Sequence, residues 1–181
     1  MAGAHGMSQN TEVTVRRANP GDAELLAELG ARTFSETFAA DNSPEDMAAY
    51  LSASFNPARQ AAELADPAST FLIAEVGGRA AGYAKLHAGE PAEGVEGHQP
   101  VELVRLYVSH EWLGRGVGAE LMRACVDEAR RAGRGTMWLG VWERNGRAQA
   151  FYRKWGFRAV GEHVFQLGAD PQRDILMERA L

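Results

Sequence analysis

Leu113-Gly114-Arg115-Gly116-Val117-Gly118 sets three glycines at every second position between an apolar run, Val101 to Val108, and an amphipathic stretch, Ala119 to Ala132. A strand, a glycine-rich turn and a helix start make a backbone pocket for an anion. Glycine admits positive φ and close approach to the amides. The helix N-terminus adds unpaired N–H groups and about half a positive charge. A tight strand-to-helix connection is the plainer alternative. Two better-known phosphate cradles do not fit the spacing. A nucleotide P-loop needs Lys-Ser or Lys-Thr after its last glycine, and Ala119-Glu120 follow here. A dinucleotide fingerprint needs G-x-G-x-x-G, and here the third glycine comes one residue early, although Glu143 ends the next strand at a suitable distance.

A second motif follows: Asn145, Ala148, Phe151-Tyr152, Lys154 and Gly156-Phe157. Together the two resemble the acyl-CoA-binding core of the GNAT N-acetyltransferase superfamily. Its usual pyrophosphate loop is Arg/Gln-x-x-Gly-x-Gly/Ala, and its last helix often reads Asn-x-x-Ala-x-x-Phe-Tyr. Leu113 stands where the Arg or Gln normally stands; backbone amides do most of the gripping there, so one side-chain contact is weakened. The resemblance implies acetyl-CoA as co-substrate, with its pyrophosphate on the amides of Gly114, Arg115, Gly116, Val117, Gly118 and Ala119. It implies a pantetheine arm paired, as an extra strand, with Leu106, Tyr107 and Val108, the Val108 amide serving as oxyanion donor. Asn145 would hydrogen-bond the pantetheine, or simply cap a helix. Arg115 and Lys154 would contact the cofactor, or stand in solvent.

Tyr152 is the expected general acid. A free tyrosine titrates near pH 10 and a thiol near 8.5, so a neutral phenol can protonate a departing thiolate against a modest gradient. The alternative is an amphipathic core tyrosine beside Phe151. Glu102 lies inside the central strand, where an unpaired charge is costly. By strict alternation it and Arg105 face opposite sides and cannot simply pair. Many GNAT enzymes carry a base or water-positioning glutamate at this point. A primary amine near pKa 10.4 is three units above neutral pH, a deficit of roughly 4 kcal/mol that a carboxylate near 4.3 cannot erase alone. Glu102 would then act as a base, order a water relay, or hold a second ammonium of the substrate.

A closer likeness runs through Thr33-Phe34-Ser35-Glu36-Thr37-Phe38, Asn42 to Met47, Tyr50-Leu51, Gly82 to Lys85, Trp138 to Glu143 and Phe165 to Gly168. This set is similar to the PaiA-type spermidine/spermine N-acetyltransferases, which implies a polyamine or similar small primary amine as acceptor, attacking directly in a ternary complex. Flexible polycations ask for spaced carboxylates and aromatic faces. Glu36, Asp41, Glu45, Glu102 and Glu143 are candidates for the first; Phe34, Phe38, Tyr50 and Trp142 for the second. Packing of the aromatics in the core and solvation of the acids is the alternative. A protein N-terminus, an amino acid or an amine antibiotic are further acceptors to consider, and a non-catalytic acyl-CoA sensor is the competing class.

Composition bounds the rest. The chain has 181 residues, 45% hydrophobic and 24% charged, with a net charge of −5. That is ordinary for a globular protein and fits one domain, residues 12–181. No basic cluster points to nucleic acid, and no apolar run approaches the ~18 residues of a membrane span. Residues 1–11 are small and polar, without the apolar segment of a secretory signal, and are expected to form a flexible extension, with Met7 a candidate natural start. The single Cys125 excludes an internal disulfide and suits a reducing cytoplasm; it falls on a helix's apolar stripe. The five histidines show no metal spacing and none is assigned a catalytic role; no metal is expected. Homodimerisation is a family expectation.

The elements that must position these groups are legible as patterns. Glu12 to Arg17 alternates as a strand. Asn19-Pro20 opens a helix running to Phe38, Ser43-Pro44 a second to Ala53, and Asn56-Pro57 a third ending near Asp66. Thr70 to Val76 and Arg79 to His87 flank Gly77-Gly78 as a hairpin. Ala88 to Pro100 is expected as an exposed, mobile loop. Val101 to Val108 is apolar on both faces, hence central. A helix, the strand Thr136 to Trp142, a helix from Gly146 to Trp155, and a closing pair, Phe157 to Leu167 and Arg173 to Ala180, complete the order β-α-α-α-β-β-β-α-β-α-β-β. This predicts an α/β, GNAT-like mixed sheet of about seven mostly antiparallel strands with helices on both faces.

Overall fold

The computed structural model describes residues 12–181, so the extension expected for residues 1–11 lies outside the described residues. The elements are β1 (Val13–Arg17), α1 (Ala23–Phe38), α2 (Pro44–Ser54), α3 (Pro57–Ala65), β2 (Ser69–Val76), β3 (Arg79–His87), β4 (Pro100–Val108), α4 (Val117–Arg131), β5 (Thr136–Trp142), α5 (Gly146–Lys154), β6 (Arg158–Leu167) and β7 (Asp170–Ala180). The seven strands form one sheet in the order β1-β2-β3-β4-β5-β7-β6, with every pairing antiparallel except β4 with β5.

Local signals act as expected. The Ser43 hydroxyl accepts from the Asp46 N–H and the Asn56 side chain from the Arg59 N–H, each ahead of a proline in the first turn. At Asn19 the capping box is present, but it closes a 3-10 turn, Pro20–Asp22, so the α-helix starts only at Ala23. Gly77 and Gly78, at φ +57 and +77, make the two-residue turn between β2 and β3.

Helix α4 lays Leu121, Met122, Cys125, Val126 and Ala129 on one face of the sheet, against Val101 and Leu103 of β4 and Met137, Leu139 and Val141 of β5. Helices α1 to α3 cover the other face, with Leu26 and Leu29 on Phe71, Ile73 and Tyr83, and a second cluster of Phe34, Met47, Phe55 and Leu167.

Two features depart from the pattern in the sequence. The loop from Ala88 to Pro100 is not exposed throughout: Val95 is buried against Trp138 and Leu176 and pins it to the sheet. More consequentially, the β3–β4 register slips. Lys85 lies opposite Arg105 but Leu86 opposite Leu103, which leaves Val104 as an extra residue. A bulge of one residue reverses the side-chain parity of everything before it. Glu102, opposite His87, therefore shares the α1 face of the sheet with Arg105, contrary to strict alternation.

The sheet also opens. β4 and β5 pair only at Pro100–Thr136, Val101–Met137 and Glu102–Trp138. Beyond Glu102 the two strands diverge, and a gap runs from that point to the end of β4.

Candidate active site

The gap presents backbone groups. The Ser109 N–H donates to the Ala81 carbonyl on β3 at 2.9 Å. Amides alternate along a strand, so the N–H groups of Val108 and Leu106 face away from β3, into the gap. At its wide end a 3-10 turn, His110–Trp112, leads to Gly114 and Gly116, both left-handed at φ +73 and +85. Gly116 is the N-cap of α4 and has no side chain to cap with. The Arg115 N–H donates to Trp112 and that of Glu120 to Gly116, whereas the N–H groups of Gly114, Gly116, Val117, Gly118 and Ala119 have no backbone acceptor among the described residues. A side chain at Gly118 would stand 3.7 Å from the Phe151 ring, on the cavity wall. Glycine there keeps the floor of the cradle open. The donor set fits a diphosphate.

A cavity of about 570 Å³ runs from this loop through the gap to the α1 side of the sheet. Of the residues singled out in the sequence, Glu102, Leu106, Tyr107, Val108, Gly114, Gly116, Gly118, Ala119, Asn145, Tyr152, Phe34, Phe38, Tyr50 and Trp142 line it. Four do not. The Val117 side chain is buried in the core, leaving only its amide to the loop. The Arg115 guanidinium stacks 5.3 Å from the Trp112 ring. Lys154 is exposed at the end of α5. The Glu143 carboxylate pairs with Arg173 at 3.4 Å.

Helix α5 is tied to the end of β5 by Gln149, whose Nε2 donates to the carbonyls of Trp142 and Glu143 at 3.2 and 2.9 Å. Asn145 caps the helix, its Oδ1 accepting from the Ala148 N–H at 3.1 Å, while its side-chain nitrogen has no partner among the described residues. This arrangement seats Tyr152 against Phe151 and Phe157, with ring centroids 5.5 and 5.7 Å away. Burial, reinforced by nearby Cys125, holds the Tyr152 phenol well above its ordinary value. The group is a protonated donor at any working pH.

Glu102 is half-buried. Desolvation raises its carboxyl, offset in part by His87, His163, Lys85 and Arg105. Arg105 does not pair with it despite sharing its face, because Glu63 on α3 claims both basic neighbours. Arg105 Nη1 lies 2.8 Å and Lys85 Nζ 2.9 Å from Glu63 Oε2. Burial alone would raise the Glu63 carboxyl, but these two cations outweigh it and hold it at about 2.

The acceptor side is aromatic. Phe34 meets Tyr50 at 4.6 Å, Tyr50 meets Phe165 at 5.4 Å, and Phe38 meets Trp142 at 5.9 Å. Phe34 is buried and also belongs to the core. Of the five carboxylates considered for a cationic substrate, only Glu102 lines the cavity. Glu36 instead accepts the His110 N–H at 2.8 Å, and Asp41 and Glu45 are exposed outside it. The structure adds two residues that sequence reasoning passed over, His163 on β6 and Asp174 on β7. His163 Nε2 lies 3.5 Å from Asp174 Oδ2, and both line the cavity. The available signal was Gly140, a glycine inside the strand Trp138-Leu139-Gly140-Val141-Trp142, which marks close approach of another group.

Among the described residues no three His, Cys, Asp or Glu side chains cluster to hold a metal, and no helix is long and apolar enough to cross a membrane.

Comparison with known proteins gives a consistent result. Residues 26–157 match the family model described as acetyltransferase (GNAT) family. An uncharacterised N-acetyltransferase of Lactobacillus delbrueckii subsp. lactis is 35% identical over 171 residues, 94% of this chain and 99% of that protein. One from Mycobacterium bovis is 38% identical over 160 residues, 88% of this chain and 98% of its own. The crystal structure of the PaiA N-acetyltransferase from Thermoplasma acidophilum, in complex with coenzyme A, superposes with a TM-score of 0.73 at 21% identity, covering 94% of this chain and 99% of the other.

Proposed function

The chain belongs to the acetyltransferase (GNAT) family, and from that premise we propose that it transfers acetyl from acetyl-CoA to a primary amine of a small polycationic acceptor of the spermidine or spermine class. One observation carries the cofactor half: a strand gap whose edge amides lead directly to five unpaired N–H groups at a left-handed glycine turn. The amides of Gly114 and Gly116 to Ala119 bind the diphosphate, with the positive end of α4 behind them. Leu106 and Val108 hold the pantetheine arm as an added strand, and the gap-facing Val108 N–H donates to the oxyanion that develops on the thioester carbonyl. Asn145 adds a side-chain donor. Tyr152 protonates the departing thiolate.

For the acceptor, support comes from the wall of Phe34, Phe38, Tyr50, Trp142 and Phe165, which suits methylene chains and ammonium groups, and from Glu102 and Asp174 as carboxylates facing the same space. Attack is direct, since the single thiol, Cys125, is buried and its pKa pushed up to about 12.

The deciding experiment measures thiol release from acetyl-CoA against spermidine, spermine, lysine, peptides with free N-termini and aminoglycosides. Highest kcat/KM for the polyamines is the expected result. Preference for a peptide or an antibiotic would overturn the acceptor class alone. Tight coenzyme A binding with no turnover of any amine would favour a regulatory acyl-CoA sensor.

A further inference from the structure

We propose that His163, oriented by Asp174, takes the proton from the incoming ammonium, while Glu102 draws that ammonium into place. The inference deepens the acetyl-transfer reading and rests on it.

The problem to be solved is chemical. An alkylamine acceptor arrives protonated near neutral pH, and only its free lone pair can attack a thioester. Among the side chains lining the cavity, imidazole alone ordinarily titrates between pH 5 and 8.

The placement is built rather than incidental. His163 and Asp174 face each other in register across β6 and β7. Beneath them β5 presents Gly140: a Cβ there would lie 2.8 Å from His163 Nε2 and 3.1 Å from Asp174 Oδ2. The pair thus takes the space that any other residue on β5 would fill. Gly140 is the next residue on that face after Trp138, the last β5 residue paired with β4. The pair therefore stands where the gap begins, on the side of the aromatic wall. Asp174 is buried, and His163 is about a third exposed at 37%. Nε2 is the nitrogen directed at Asp174, which leaves Nδ1 free to accept a proton. The charged and titratable neighbours come from every side. Asp174 faces the ring from β7 and Glu102 lines the same cavity from β4. Arg105, also on β4, is neutralised by Glu63. Tyr50 and Tyr107 are uncharged, their phenols raised by burial. Tyr152 and Arg147 line the same cavity from α5, and β5 contributes Gly140, Val141 and Trp142, none of them titratable.

The step balances without a further reactant. One N–H proton of the ammonium passes to His163 Nδ1, and the freed lone pair forms the C–N bond as the C–S bond breaks. Tyr152 gives its proton to sulfur and recovers the one the nitrogen sheds on becoming an amide. The imidazolium proton returns to solvent after product leaves, so one proton is released per turnover.

The test compares wild type with His163→Gln and Asp174→Asn, using calorimetric coenzyme A binding to confirm that the cofactor half is intact. With spermidine at pH 7, His163→Gln is expected to lower kcat/KM about 100-fold or more, with the rate recovering as pH climbs toward the amine's own pKa. Asp174→Asn should give a smaller loss. A peptide α-amine, which titrates near 7.7–8.0, should lose far less in the His163 variant. Equal losses for both acceptors, an unchanged pH profile, or a variant as fast as wild type would overturn the assignment. If wild type acetylates neither acceptor, the acceptor reading fails on its own, and nitrogen-correlated NMR still decides on His163. A proton on Nε2 that shifts in Asp174→Asn supports the inference, and a proton fixed on Nδ1 sinks it.

Discussion

Tyr152→Phe separates chemistry from binding. The Tyr152 ring is buried and packs between Phe151 and Phe157. Its hydroxyl makes no hydrogen bond among the described residues, and Tyr152 lines the cavity. Removing the oxygen leaves the packing in place, so folding stability should change by no more than about 1 kcal/mol. Coenzyme A affinity should move by at most the roughly 0.5–1.5 kcal/mol of one neutral hydrogen bond. The loss of a proton donor in the transition state is larger, about 10² to 10⁴ in kcat, or roughly 2.7–5.5 kcal/mol of barrier. Burial makes the phenol a weaker acid than usual, so the transfer must accompany C–S cleavage rather than precede it. Thiol release under saturating acetyl-CoA gives kcat, calorimetry gives the Kd, and a thermal melt reports the fold. A kcat within about threefold of wild type, against the expected loss of at least about 100-fold, would refute the general-acid role. So would a loss of cofactor affinity as large as the loss of rate.

Gly116→Ala should raise the coenzyme A Kd by about tenfold or more, since a left-handed alanine costs about 1–2 kcal/mol and relief of that strain turns the cradle amides away. Its Cβ meets nothing within 4 Å, so calorimetry should show the loss while the melt shows an intact fold. Glu63→Gln should destabilise the protein by about 3–5 kcal/mol at pH 7, because it leaves Arg105 and Lys85 buried without a counter-charge. Glu63 is held at about 2 against an ordinary 4.5, so its contribution is present above pH 4.5 and is lost as pH falls toward 2. Urea melts should accordingly show the variant and wild type converging over that window. Iodoacetamide at pH 8 should leave Cys125 unmodified in the native protein and alkylate it in urea, as read by mass spectrometry, because burial pushes the thiol up to about 12.

The helices and strands were legible because their signals are local. Ser43-Pro44, Asn56-Pro57 and Gly77-Gly78 mark boundaries that the structure reproduces to within a residue or two. The glycine loop and the Asn145-to-Tyr152 helix were likewise visible as spacing. What escaped was set by relations between distant segments. One extra residue at Val104 moves Glu102 to the α1 face, and nothing in Val101 to Val108 announces it. The divergence of β4 and β5 leaves no trace in hydrophobic periodicity. Glu36 and Glu143 look like substrate carboxylates until the fold hands them His110 and Arg173. His163 and Asp174 lie on the two closing strands, outside both cofactor motifs, and only the small residue at 140 hinted at them.

Joining β4 to β5 over three registers alone makes the molecule two half-sheets on a short hinge. Past that hinge the halves are coupled by the apolar underside of α4, which touches both. Any molecule that lies along the opening and bonds to both margins would cross-brace the frame as an eighth strand. Rigidity and occupancy are therefore one property here. A stiff, extended inhibitor built on that edge would gain its grip from main-chain atoms, which no side-chain substitution can delete.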